Sequence, residues 1–190
     1  MAKKKRIRSI DIEIDKLTNS IEEVATGRTV ATHVGRVLPE DKLIRAKDWR
    51  FDWLKEMRQP GHEVYALTAD PHSGVVQGLI SIEDKGDHIY MHLLESARFN
   101  QGKGKLFLGV PPNLVAHACR ISFMRGYGGV VAFVAKTKLR QHYIDTLGAE
   151  VMRGDRLFIG PSAQPNSLND TSVNNESETH SGTPGRGPHN

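Results

Sequence analysis

The chain has 190 residues, of which 38% are hydrophobic and 25% charged, with a formal net charge of +4. This length suits one compact domain with tails, and no run of about 18 apolar residues exists to form a membrane-spanning helix. A single cysteine, Cys119, excludes an internal disulfide and a Cys-rich zinc site, and points to a reducing cytoplasm.

The N-terminus opens on the basic cluster Lys3, Lys4, Lys5, Arg6 and Arg8. Ile-Asp alternation follows it, not the apolar stretch of a secretion signal. Ile10, Ile12 and Ile14 share one face, so Ile7 to Ile14 is expected as a half-buried strand. Thr29 to Leu38 is a second extended piece. Pro39-Glu40-Asp41 resembles a helix start, and Trp49, Trp53 and Met57 recur every four residues. That spacing predicts an amphipathic helix ending near Arg58, before Pro60-Gly61, with the tryptophans in the core.

The period then changes. Val64 to Thr68, Val75 to Glu83 and His88 to Glu95 are β-rich runs separated by turn-like segments, which predicts a three-stranded antiparallel meander. A glycine-bearing stretch, Asn100 to Gly109, leads to a helix opened by Pro111 and closed by Gly126, with Leu114, Val115, Ala118, Cys119 and Ile121 on its buried side. Val130 to Val134 is a wholly apolar strand suited to a central position. Thr137 opens a helix in which Leu139, Tyr143 and Leu147 stack before Gly148, and Val151 to Ile159 is the last strand. The expected fold class is α/β: a mixed, mostly antiparallel central sheet flanked by helices, spanning residues 1–160. Residues 161–190 hold only Leu168 and Val173 as large apolar side chains, so they are expected as a disordered polar tail. The tail sets Arg186 against Asp170, Glu176 and Glu178, so the basic excess belongs to the rest of the chain.

Three segments in this order resemble the GNAT superfamily of acyl-CoA N-acyltransferases, and the runs Asp15 to Ile21 and Trp49 to Trp53 add a resemblance to a small bacterial group of GNAT-like proteins within it. The three segments are the meander ending Ile89-Tyr90-Met91-His92-Leu93-Leu94-Glu95, the turn and helix start Gly104-Lys105-Leu106-Phe107-Leu108-Gly109-Val110-Pro111-Pro112-Asn113-Leu114, and Val130 to Glu150, a strand and a tyrosine-bearing helix closing on Leu147-Gly148-Ala149. The resemblance implies two parallel strands that splay to admit the pantetheine of acetyl-CoA, with its pyrophosphate at the start of the helix after Gly109. It implies coenzyme contacts at Leu94, Lys103, Lys105, Gly109, Val110 and Asn113. The chain departs from the family loop where Pro111 and Pro112, which have no N–H, replace potential phosphate donors.

Acyl transfer to an amine needs a base for the amine proton and an acid for the leaving thiolate. Glu95, at a strand end, is the candidate base. Its alternative role is a solvent-facing carboxylate. Tyr143 matches the family's tyrosine acid, and its alternative is core packing between Leu139 and Leu147. His117 is expected on the polar side of its helix, and His142 is a lesser candidate beside Tyr143. The histidines show no close ligand pair in sequence, so no metal is expected. The implied function is transfer of an acetyl group from acetyl-CoA to an unidentified amine. Two alternatives are a non-catalytic binding module, suggested by Pro111-Pro112, and an acyltransferase on charged tRNA, suggested by the basic N-terminus.

Overall fold

A computed structural model describes residues 20–69 and 72–160. The expected strand Ile7 to Ile14, the basic cluster and the expected tail lie outside the described residues.

The strands are β1 (Ser20–Glu23), β2 (Arg28–Val37), β3 (His62–Ala69), β4 (His72–Asp84), β5 (Ile89–Ser96), β6 (Phe107–Leu108), β7 (Val131–Val134), β8 (Glu150–Arg153) and β9 (Arg156–Ile159). Among the described residues they form one sheet in the order β6-β1-β2-β3-β4-β5-β7-β9-β8. Every pairing is antiparallel except β5 with β7, as the mixed sheet expected from sequence requires. The helices are α1 (Trp53–Glu56), α2 (Val110–Met124) and α3 (Thr137–Leu147). Helix α2 makes the crossover between the two parallel strands.

Alternation along the meander feeds two cores. Leu67, Ile80, Ile82, Ile89 and Val131 point to one face, where α2 lays down Val110, Leu114, Val115, Ala118 and Ile121. Val64, Ala66 and Leu79 point to the other face, against Trp49 and Trp53. Fully burying each large aliphatic side chain contributes about 1.5–3 kcal/mol, so the α2 face is the main source of cohesion.

Two expectations are corrected. Residues 39–58 are not one helix. They form a 3-10 turn at Pro39–Asp41, a second at Ala46–Asp48, and then the short α1. Lys42 adopts a left-handed φ of 53° that ends the first turn. The amides of Arg50 and Phe51 bond to a distant carboxylate rather than to a preceding turn. Helix α1 starts only at Asp52, whose side chain accepts from the Lys55 amide at 3.0 Å. The tryptophan spacing instead serves an edge-to-face contact with ring centroids 6.3 Å apart. The final strand is likewise a hairpin, β8 and β9, turning at Gly154, whose φ of 60° suits a residue without Cβ.

Candidate active site

The β5–β7 pairing holds at only two positions, Ile89↔Val131 and Tyr90↔Ala132. Beyond them β5 continues for six residues while β7 ends at Val134. On its other edge β5 pairs Met91 with Ile82 and Leu93 with Ser81, which leaves His92 as an extra, unpaired residue. A bulge of this kind bends the strand and increases its twist, and it falls just past the point where the pairing with β7 stops. The early end of that pairing is the splay between two parallel strands that the sequence resemblance implies.

The N-terminus of α2 lies at the far end of the same strand. Val110 packs over Gly78, which pairs with Ser96 of β5. Gly109 precedes the helix with φ 88°, and the space where its Cβ would stand is open. Two N–H groups, those of Gly109 and Val110, stand at this end ahead of Pro111 and Pro112, which are tolerated early in a helix because the N–H they lack would have no partner there. Lys103 and Lys105 are exposed and line a concavity of about 460 Å³ with Phe99, Leu106 and Phe107.

Asn113 does not join them. Its amide donates to Gly109 O at 3.0 Å, and its fully buried side chain donates to Ser20 O and Thr32 Oγ1. Asn113 therefore pins α2 to β1 and β2, and no donor is left for a phosphate. Leu94 is half-buried and packs on the core beneath α2.

Glu95 is 6% exposed and lies on the tryptophan face of the sheet. Its Oε1 accepts from the Arg50 amide at 2.7 Å, and its Oε2 accepts from the Phe51 amide at 3.2 Å and from Trp53 Nε1 at 2.9 Å. It is neither the solvent-facing carboxylate of the simpler reading nor a carboxylate with a free oxygen. It anchors the segment leading into α1.

Tyr143 is half-buried on α3, packed edge-on against Phe133 of β7 with centroids 5.2 Å apart. Burial raises its pKa, so the phenol stays protonated at neutral pH. Leu139, expected beside it, is 44% exposed, so the contact with β7 replaces the expected stripe along α3. Glu95 and Tyr143 thus belong to opposite arms of the splay and share no hydrogen bond.

Two histidine environments depart from expectation. His117 is not on a polar face: its Nε2 is buried without a partner, and its ring tilts against Tyr65 at 5.0 Å. Burial, with Arg120 and His33 nearby, pushes its pKa down to about 4, so this partly buried ring is neutral at pH 7. Secondly, the sheet gathers His62 of β3, Glu83 of β4 and His92 of β5, with ligand-type atoms within 4.8 Å of one another. Sequence spacing could not show this, because the three residues come from neighbouring strands. His92 Nε2 is 2.8 Å from Glu83 Oε2, His62 Nδ1 is 2.8 Å from Glu56 Oε1, and the two imidazoles stack at 3.9 Å. Lys85 Nζ lies 2.6 Å from the same Glu83 oxygen. The short contacts form two separate pairs, His92 with Glu83 and His62 with Glu56, while His62 Nε2 stays 3.9 Å from Glu83.

A second network clamps the C-terminus of α2 to the meander. Arg125 donates to Glu63 at 2.7 Å and to Asp84 at 3.1 Å, and Tyr65 and Tyr127 donate to the same two carboxylates. Burial opposes ionisation of Glu63, but the bonds from Arg125 and Tyr65 outweigh it and hold the carboxyl low.

No family model matches the sequence, and neither does any curated protein. Solved structures do. The AtaT–AtaR complex bound to DNA is 16% identical with a TM-score of 0.50, covering 67% of this chain and 93% of that one. AtaTR bound with acetyl-CoA is 17% identical over 67% and 92% of the two chains, with a TM-score of 0.47. An acyl-CoA N-acyltransferase from Pseudomonas aeruginosa is 9% identical over 69% and 99%, with a TM-score of 0.46. The described chain has the GNAT acyl-CoA N-acyltransferase fold. At these identities the likeness extends to the fold.

Proposed function

We propose that this protein is an N-acyltransferase that moves an acetyl group from acetyl-CoA to an amine. The observation that carries the reading is the parting of β5 from β7 after two paired positions, with the α2 N-terminus at the end of the same strand. The Gly109 and Val110 amides and the helix dipole suit the pyrophosphate, and Lys103 and Lys105 supply counter-charge. The thioester supplies the activated acyl carbon. Tyr143, on the β7 arm, is the acid that protonates the departing sulfur, and burial keeps its proton in place until then. Glu95 acts by position, fixing residues 50–53 on the acceptor side of the sheet. A reducing cytoplasm suits the half-buried Cys119 thiol, whose pKa burial raises to about 11.

The test is thermal unfolding with and without acetyl-CoA, because a ligand that binds only the native state raises the midpoint. Gly109→Val should abolish that rise while the protein still unfolds cooperatively, since valine is strained at φ 88°. A wild-type midpoint indifferent to acetyl-CoA at millimolar concentration would overturn the reading in favour of a binding module for another ligand.

A further inference from the structure

With both oxygens of Glu95 engaged, the splay lacks the expected base, and the bulge in β5 presents another. We propose that His92, oriented by Glu83, is the base that takes the proton of the acceptor amine. The assignment rests on the acyltransferase reading and supplies its missing proton acceptor.

The position comes from the backbone. His92 is the unpaired residue of the bulge, two residues past Tyr90, where the pairing of β5 with β7 ends. Its side chain is 25% exposed, so it is open to a substrate. The chemistry comes from its partner. Bonds from Lys85 and then His92 hold the Glu83 carboxyl below its ordinary range, so Glu83 is an anion at neutral pH and can only accept. His92 Nε2, 2.8 Å away, must therefore carry the hydrogen. Its Nδ1 is left with a lone pair and makes no hydrogen bond among the described residues. A carboxylate that fixes the tautomer of an imidazole and leaves the other nitrogen's lone pair free is the arrangement of a general base.

The surroundings keep the dyad in place. Around it lie Lys85, just past the end of β4, His62 of β3, and Tyr90 of β5, whose ring meets His92 edge-on at 4.7 Å. Glu56 of α1 holds His62 at 2.8 Å and accepts from Ser81 at 2.6 Å, so the stacked neighbour is itself anchored. In the reaction the amine nitrogen forms its bond to the acyl carbon as the carbon–sulfur bond breaks. The ammonium proton passes to His92 Nδ1, and the thiolate takes its proton from Tyr143. Exchange with water returns both side chains to their resting forms. His92 is thus a catalytic residue and Glu83 a positioning residue.

The experiment measures release of CoA from acetyl-CoA with spermidine, a lysyl peptide and an alanyl peptide as probe amines, alongside acetyl-CoA affinity by calorimetry. For any amine that turns over, His92→Gln should lower kcat/KM about 100- to 10,000-fold and leave acetyl-CoA affinity unchanged. Glu83→Gln, which removes the anionic acceptor that fixes the tautomer, should lower kcat with KM and acetyl-CoA affinity little changed, and should let the Nδ1–H tautomer appear at His92. A His92→Gln enzyme with the wild-type rate overturns the assignment while the acyltransferase reading stands. Absence of acetyl-CoA binding to the wild type overturns both. Nitrogen-15 NMR of the histidines decides where no probe amine turns over: the Nε2–H tautomer at His92 is required, and an Nδ1–H tautomer overturns the proposal.

Discussion

Gly78 of β4 lies directly beneath Val110 of α2: a Cβ on Gly78 would stand 2.6 Å from Val110 Cγ1, 3.0 Å from Leu114 Cδ1 and 3.1 Å from the carbonyl of Glu95. No flexible side-chain tip absorbs that overlap, since one neighbour is β-branched and another is backbone. Gly78→Ala should therefore lift the N-terminal turn of α2 from the sheet. Overpacking of this kind costs about 1–3 kcal/mol, read as a lower denaturation midpoint. Acetyl-CoA affinity should fall with it, since Gly109 and Val110 move with the turn. An alanine variant as stable as the wild type would show that α2 sits less tightly than this contact implies.

Glu95 makes the second prediction. Glu95→Gln keeps the volume but turns an amide NH₂ toward donors. One of the three groups, the Arg50 amide, the Phe51 amide or the Trp53 indole, then loses its acceptor. Leaving such a group buried and unsatisfied costs about 1–3 kcal/mol. Urea unfolding followed by tryptophan fluorescence should show that loss at neutral pH. A fully stable Glu95→Gln that is catalytically dead would restore this residue as the base.

For Tyr143→Phe the expectation is the reverse. The ring keeps its edge-on contact with Phe133, and the hydroxyl it loses has no partner among the described residues. Stability should change little, while turnover falls about 100- to 10,000-fold through loss of the acid. A variant equal to wild type in turnover would remove Tyr143 from the chemistry.

His117 sets a pH dependence. Its folded pKa, about 4, lies below the ordinary 6.5. Between those values the unfolded chain binds a proton that the folded chain refuses. The stability is present above pH 6.5 and is lost as pH falls toward 4, where the folded form also protonates. Discounted for partial exposure, the loss is about 1–2 kcal/mol. Denaturation midpoints at pH 7 and pH 4.5 should differ less in His117→Phe than in wild type. Glu63, held low, adds its own loss only below its ordinary 4.5, so that carboxylate does not mask the upper part of the window.

The elements legible in the sequence are those whose pattern is local. Alternation marked the meander, and Gly126 and Gly148 marked two helix ends at left-handed φ of 85° and 63°. The segment 39–58 was not legible, because Trp49 and Trp53 four apart satisfy a helix and an edge-to-face contact across a turn equally well. What decided between them was Glu95, more than forty residues away, capturing two amides. The same limit hid the dyad. His92 and Glu83 meet across a strand pair whose register slips by one at that place, and no periodicity within either strand records the slip.

That slip makes the bend beside the opening a matter of residue count. One residue fewer between Met91 and Leu93 would restore an even ladder with β4 and remove the local bend from β5 beside the gap. Most side chains along β5 could be exchanged for others of like polarity and the bend would survive. Insertions and deletions there are thus far more consequential than substitutions. Alignment of distant homologues should accordingly be anchored on the spacing between the bulge and the glycine before α2, not on the residues that fill it.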